Sequence, residues 1–310
     1  MIAWTIGWVA AAMCMAPNPS ARYPGGATQD QTIRVSSGLV LVPVLVTDPE
    51  GAIIRNLTIE DFEVEENGRT VPVARAGEPG EAPLELAMLY DVSGSVHPRF
   101  ELERQAAAGF LRRVLRPADS VVLISVGDQP RVLAHRTSDL HEALAALERV
   151  EPAVEATAFF DCVAAAVRSL RAVSRPEVRR VIIALSDGED NRSTDYRLEQ
   201  VLREIQESDC LFYSINPSGR SIRINPAGLL GQQGMETIAR GTGGATFVTD
   251  RLEKLDAFYE RIAAELQGQY LLGYYSPSPE GEAYRRISVR IPNRPELRVR
   301  ARQGYYPQKR

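Results

Sequence analysis

The chain alternates two kinds of hydrophobic pattern along its middle. Short apolar runs at 84–90, 120–126, 131–135, 179–185, 210–215 and 244–248 have the length and β-branched content of strands. Between them, residues 98–115, 139–149, 158–174, 195–208, 231–241 and 252–267 carry apolar positions at helical spacing, such as Leu198, Val201, Leu202 and Ile205. Val181 to Leu185 is apolar on both faces, which fits a parallel strand covered by helices on each side. Alternating strands and helices predict an α/β fold: a doubly wound, mostly parallel sheet of Rossmann-like type.

The flanks read differently. Leu39 to Val46 is a β-type run closed by the turn Asp48-Pro49-Glu50-Gly51. Phe62, Val64 and Glu66 alternate with charged neighbours before Asn67-Gly68, a hairpin signal because both residues tolerate positive φ. Gly77 to Pro83 is a linker. After Gln267 the period returns to two, with strands predicted at 269–275, 284–291 and 297–303. Neither flank has enough strands to stand alone. Residues 33–80 and 268–306 are therefore expected to form one smaller all-β domain, with 84–267 as the α/β domain between its halves.

Charge supports that pairing. The net charge of −4 over 310 residues argues against nucleic acid as a partner. Its distribution is uneven: 48–66 holds seven acids and one Arg, whereas 283–310 holds nine Lys/Arg and one Glu. Arg290, Arg298, Arg300 and Arg302 read as the solvated face of strands. Residues 1–16 are uncharged and nearly all apolar, too short for a comfortable span, so 1–21 reads as a signal peptide with cleavage after Ala16 or Ala21. A basic segment before the apolar stretch is missing, and Met13 before Cys14 argues against a lipoprotein. Residues 22–32 read as a disordered lead. The mature chain is then secreted, periplasmic or at the cell surface, with no transmembrane segment. Cys162 and Cys210 fall in apolar patterns and read as buried free thiols rather than a disulfide.

The chemistry concentrates in three loops. Asp91-Val92-Ser93-Gly94-Ser95 follows a strand and places a carboxylate and two hydroxyls at alternate positions. Thr157 lies just before a helix, and Asp187 follows Val181 to Leu185 directly. In doubly wound sheets ligands bind at the carboxyl ends of strands, where Asp91 and Asp187 fall. Five oxygen donors converging there suit a small hard cation. The bland alternative is that Asp91, Ser93 and Ser95 cap the next helix. Glu189 and Asp190 read as a solvated acidic loop or a second cation site, and His97 as a capping side chain or a general base. No GxSxG elbow, P-loop or HExxH occurs.

The set Asp91, Ser93, Ser95, Thr157 and Asp187 resembles the metal-ion-dependent adhesion site of von Willebrand factor type A domains. The resemblance spans about 84–267. The tail, with Gln269 to Tyr275, Arg286 to Arg290 and Arg302 to Tyr306, is similar to bacterial (Acidobacteria-type) secreted proteins of that family. Glu155-Ala156 stands where the family usually has Gly-Gly before the threonine. The resemblance implies a binding module rather than an enzyme. It would hold Mg²⁺ (or Mn²⁺ or Ca²⁺) and bind a protein partner through that partner's Asp or Glu carboxylate, with His97, Phe159, Glu189 and Asp190 as flanking contacts. It also raises the prospect that helix 252–267 couples the site to the β-domain. The rival readings are a metal-dependent hydrolase using His97 or Glu189 as base, and a scaffold with a vestigial site.

Overall fold

The computed structural model describes residues 38–93, 99–153, 156–172, 177–219, 225–278 and 281–307. The expected signal peptide and lead lie outside them, as do Ser95 and His97.

Six strands form the central sheet: β5 (Leu84–Asp91), β6 (Ser120–Val126), β7 (Arg131–Thr137), β8 (Arg179–Leu185), β9 (Cys210–Asn216) and β10 (Thr246–Val248). Their order is β10-β9-β8-β5-β6-β7, parallel except for the β7 edge. Leu84, Leu86, Met88 and Tyr90 of β5 face a core shared with α1 (Phe100–Val114), α2 (Leu140–Glu148) and α6 (Leu255–Gly268). Ala87 and Leu89 face the other core, shared with α3 (Phe159–Arg171), α4 (Leu198–Glu207) and α5 (Pro226–Thr242). β5 is buried along its whole length, which is why its sequence shows no alternation. This is the doubly wound architecture the pattern predicts. Cys162 and Cys210 are buried free thiols.

The flanks combine as their charge predicts. β1 (Leu39–Thr47), β4 (Val73–Gly77), β11 (Tyr270–Tyr275) and β13 (Arg298–Ala301) form a sheet in the order β13-β1-β11-β4. A second sheet, β14-β12-β2-β3, is built from β2 (Glu63–Glu66), β3 (Arg69–Val71), β12 (Arg285–Arg290) and β14 (Gly304–Tyr305). Val40, Val42, Val44 and Val46 of β1 and Tyr270, Leu272 and Tyr274 of β11 share one core with Val64, Val71 and Ile287 of the second sheet. The acidic hairpin lies against the basic tail, where Arg290 bridges Glu63 and Glu65. The hairpin turns through Asn67 (φ 51) and Gly68 (φ 78), as Asn-Gly demands.

Two of the arginines expected in solvent are not there. Arg302 is buried, bonding Asp209 and the Leu41 carbonyl. Arg300 bonds Glu265 and the Tyr213 hydroxyl. Alternation puts both on one face, where Arg300 meets Glu265 and Arg302 meets Asp209, while Arg298 on the same face stays exposed. A third arginine joins the two chain crossings between the domains. The Arg179 guanidinium donates to the Ala82 carbonyl on the way in and to the Leu266 carbonyl on the way out. Burial pulls its pKa down to about 10.

Among the described residues, no helix is long and apolar enough to cross a membrane.

Candidate metal centre

β5 and β8 are parallel neighbours with Tyr90 opposite Leu185. That register alone sets Asp91 level with Ser186, so the next loop residue, Asp187, emerges beside it at the carboxyl edge of the sheet. The Ser186 hydroxyl donates to Asp91 Oδ2 at 2.5 Å, and its oxygen accepts the Gly188 N–H at 3.0 Å. The Ser93 N–H donates to Asp91 Oδ1 at 2.8 Å, and the Glu189 N–H donates to Asp187 Oδ1 at 3.1 Å. Asp91 is thus held by both loops, and Asp187 by its own. Asp91, Ser93, Thr157 and Asp187 are all buried.

The Thr157 loop is tied to the Asp187 loop. The Thr157 N–H donates to Asn191 Oδ1 at 2.9 Å, and its carbonyl accepts from the Asn191 and Arg192 N–H groups at 3.0 Å. The Ala158 N–H donates to the Gly127 carbonyl at 2.7 Å, anchoring the same segment to the end of β6. The Asp187 loop in turn rests on α5. A Cβ on Gly231 would lie 2.4 Å from the Gly188 carbonyl carbon, so the helix and the loop touch backbone to backbone. Gly188 itself sits at φ 73, in the left-handed region. Asn216, fully buried at the end of β9, donates to the Asp187 carbonyl at 3.3 Å and to Gln232 Oε1 at 2.8 Å.

The electrostatics follow from this crowding. Burial pushes the Asp91 carboxyl up to about 6, and the Asp187 charge adds to the rise, while the hydrogen bonds from Ser186 and Ser93 oppose it. Two buried acids of like charge sit side by side, and among the described residues no Lys, Arg or His pairs with either. Such a pair favours either a shared proton or a cation between the two carboxylates. The donors around it, carboxylate and hydroxyl oxygens, are of the hard type that suits Mg²⁺ or Ca²⁺. No group of three His, Cys, Asp or Glu residues gathers into a metal cage among the described residues.

The expected flanking contacts fall differently. Phe159 is fully buried and packs edge-on against Phe160 at 5.9 Å; the first turn of α3 faces the sheet, so Phe159 offers a partner no surface. Asp190 Oδ1 accepts from the Ser193 hydroxyl at 2.5 Å and the Phe160 N–H at 3.4 Å, which makes it a cap for α3. The Glu189 carboxylate bonds the Asn225 side chain, and burial, then the Asp187 charge, raises its pKa. Glu189 and Asp190 are both partly exposed beside Asp187. The sequence reading did not single out Ser186, Asn191, Asn216 or Gln232.

Residues 86–189 match the sequence profile of the von Willebrand factor type A domain. The chain carries a type A domain. Solved structures of one mussel protein share this fold at a TM-score of 0.50. Proximal thread matrix protein 1 from the mussel byssus is 17% identical, with a TM-score of 0.50 over 64% of this chain and 49% of that one. A second structure of the mussel protein, described as having a zinc occupied MIDAS motif, is 17% identical with a TM-score of 0.50, over 64% and 48%. A von Willebrand factor type A protein from Catenulispora acidiphila is 13% identical, with a TM-score of 0.49 over 83% and 70%. This chain spans about half the length of the mussel protein. Among curated proteins none matches the chain. At these identities the likeness concerns the fold of the type A domain, whose matched stretch contains Asp91, Ser93, Thr157 and Asp187.

Proposed function

We propose that this protein is a cation-dependent binding module. Its type A domain (84–267) holds a divalent ion, Mg²⁺ in the first instance with Mn²⁺ or Ca²⁺ as substitutes, and binds a protein partner through that partner's Asp or Glu carboxylate. Asp91, Ser93, Thr157 and Asp187 supply the described ligands, and Ser95 completes the motif. The observation that carries the reading is the buried pair Asp91 and Asp187, which lacks a cationic side chain among the described residues. The structure of the mussel protein with zinc in its MIDAS motif supports the same use of the fold. A hard cation keeps its waters unless a strong oxygen donor replaces one, and a carboxylate is such a donor. Segments 33–80 and 268–306 form the β-domain that carries the module, and a leader at 1–21 directs the chain out of the cytoplasm.

The test is thermal melting of the full chain in Mg²⁺ and in EDTA. Mg²⁺ should raise the Tm of the wild type, because a ligand that binds only the native state stabilises it by mass action. Asp187→Ala should show no such rise. Equal stabilisation of both proteins would discard the assignment.

A further inference from the structure

The first turn of α1 contains an acid that the proposed ligand set does not include. Glu103 is 1% exposed, and neither of its carboxyl oxygens has a hydrogen-bond partner. It stands three residues after Phe100, on the face of α1 that packs Phe100 against Tyr90, the residue before Asp91, and Phe110 against Tyr259 of α6. The Tyr259 hydroxyl is also buried and unpartnered. Buried acids are ordinarily paired or hydrogen-bonded, because the ionised form loses its hydration with nothing in return. An acid kept here without a partner calls for a reason.

The charges that reach Glu103 come from several elements. Arg99, just ahead of α1, is the opposite charge, and its guanidinium is engaged by the Pro217 carbonyl. Asp91 from β5 and Asp187 from the loop after β8 act with like sign. Glu101 and Arg104 on α1 act on the neighbouring Tyr90, and Asp256 on Tyr259. Burial, opposed by Arg99 and reinforced by the two aspartates, pushes the Glu103 carboxyl up to about 7.

We propose that Glu103 is a further acid of the cation site: a buried, unpartnered carboxyl on the helix face that meets Tyr90, whose charge sets how tightly the site takes a divalent ion. The proposal rests on the cation reading above. Glu103 is not a ligand, since it does not group with Asp91 and Asp187 closely enough to share an ion. It nevertheless feels both of their charges through a poorly screened interior, where charge interactions carry far. A dication between the aspartates reverses the local potential and favours loss of the Glu103 proton to solvent. By reciprocity, the ionised Glu103 favours the cation. A metal-free site at neutral pH therefore keeps Glu103 partly protonated, and that proton leaves as the ion enters.

The experiment is Mg²⁺ titration calorimetry on the full chain, wild type against Glu103→Gln, at about pH 5.5, 7 and 8.5, a range that brackets the Glu103 carboxyl raised to about 7. Gln keeps the shape and cannot ionise. At the highest pH the wild type should bind Mg²⁺ about tenfold more tightly than the variant, the ratio that one pKa unit of coupling produces. At the lowest pH the two affinities should converge. Glu103→Met, which removes the polar atoms altogether, should track Glu103→Gln and serves if the amide does not fold. Affinities that change in parallel with pH in both proteins would overturn the proposal. A wild type that binds no Mg²⁺ at any pH would instead overturn the cation reading beneath it.

Discussion

Ser186 donates its hydroxyl hydrogen to Asp91 Oδ2 at 2.5 Å, joining the ends of two parallel strands whose backbones meet only through ladder bonds. The same oxygen accepts the Gly188 N–H, so one side chain orients the buried carboxylate and the loop that presents Asp187. Ser186→Ala should leave the fold intact and cost about 1–3 kcal/mol, the range for a buried group that loses a charge-assisted bond. Mg²⁺ affinity should fall by about tenfold, since Asp91 is then free to turn. Urea unfolding and calorimetry would separate the two effects; an unchanged affinity would show that the hydroxyl does not orient the ligand.

Asp187→Asn removes one of two crowded negative charges. In EDTA near pH 8 the variant should be more stable than the wild type, because like buried charges oppose folding. In Mg²⁺ the order should reverse. The pH profile carries a sign of its own. The folded Asp91 carboxyl is raised to about 6 by burial and by Asp187. Its contribution to metal-free stability is thus present below the ordinary carboxylate pKa and is lost as pH rises through about 6. That decline should be shallower in Asp187→Asn, as read from chemical denaturation at successive pH values.

Gly231→Ala tests the seat of the metal loop. The new Cβ would meet the Gly188 backbone at 2.4 Å, a contact that only a shift of the helix or the loop can relieve. The expected cost is about 1–3 kcal/mol. Mg²⁺ binding should weaken as well, because Asp187 moves with Gly188. Retention of wild-type affinity would mean that α5 yields and the loop does not.

Arg179→Leu addresses the joint between the domains. The substitution leaves the Ala82 and Leu266 carbonyls without this donor, a loss of about 3 kcal/mol if neither finds water. Limited proteolysis should then cut near 77–83 faster than in the wild type. Unaltered cleavage would show that the other contacts of the joint, such as Arg116 to the Gly80 carbonyl, hold it without the Arg179 side chain.

The sequence revealed the parts of this protein that depend on local pattern. The apolar runs marked β5 and β8, and the two aspartates stand directly after them, so their approach needs only a parallel register. Thr157 was visible because a helix follows it at once. What stayed hidden depends on contacts between distant segments. Ser186 reads as an ordinary loop serine until β8 is set beside β5. Asn216 and Gln232 meet only when α5 packs on the sheet. Helical spacing alone starts α5 at residue 231, although Asn225 caps the helix and Pro226 opens it, a signal available from the Asn-Pro pair; glycines at 228, 231 and 234 obscure it. The β13 arginines misled for a related reason. A period of two says that alternate residues share a face, but not whether water or another domain covers it. Glu103 lies among α1 residues that look suited to solvent, and only the packed structure shows it to be buried.

The β-domain is assembled from both flanks of the chain, and this sets the order in which the protein can be made. β1 pairs with β13, and Arg302 reaches back to Leu41 across 261 positions. During synthesis, β1 leaves the ribosome long before either of its neighbours exists. The type A domain, whose strands pair within one continuous stretch, can form in the meantime. The sandwich must close last, because its strand pairs are non-local and form slowly. Until then a strand carrying Val40, Val42, Val44 and Val46 waits with both edges open, which makes it the segment most in need of a chaperone.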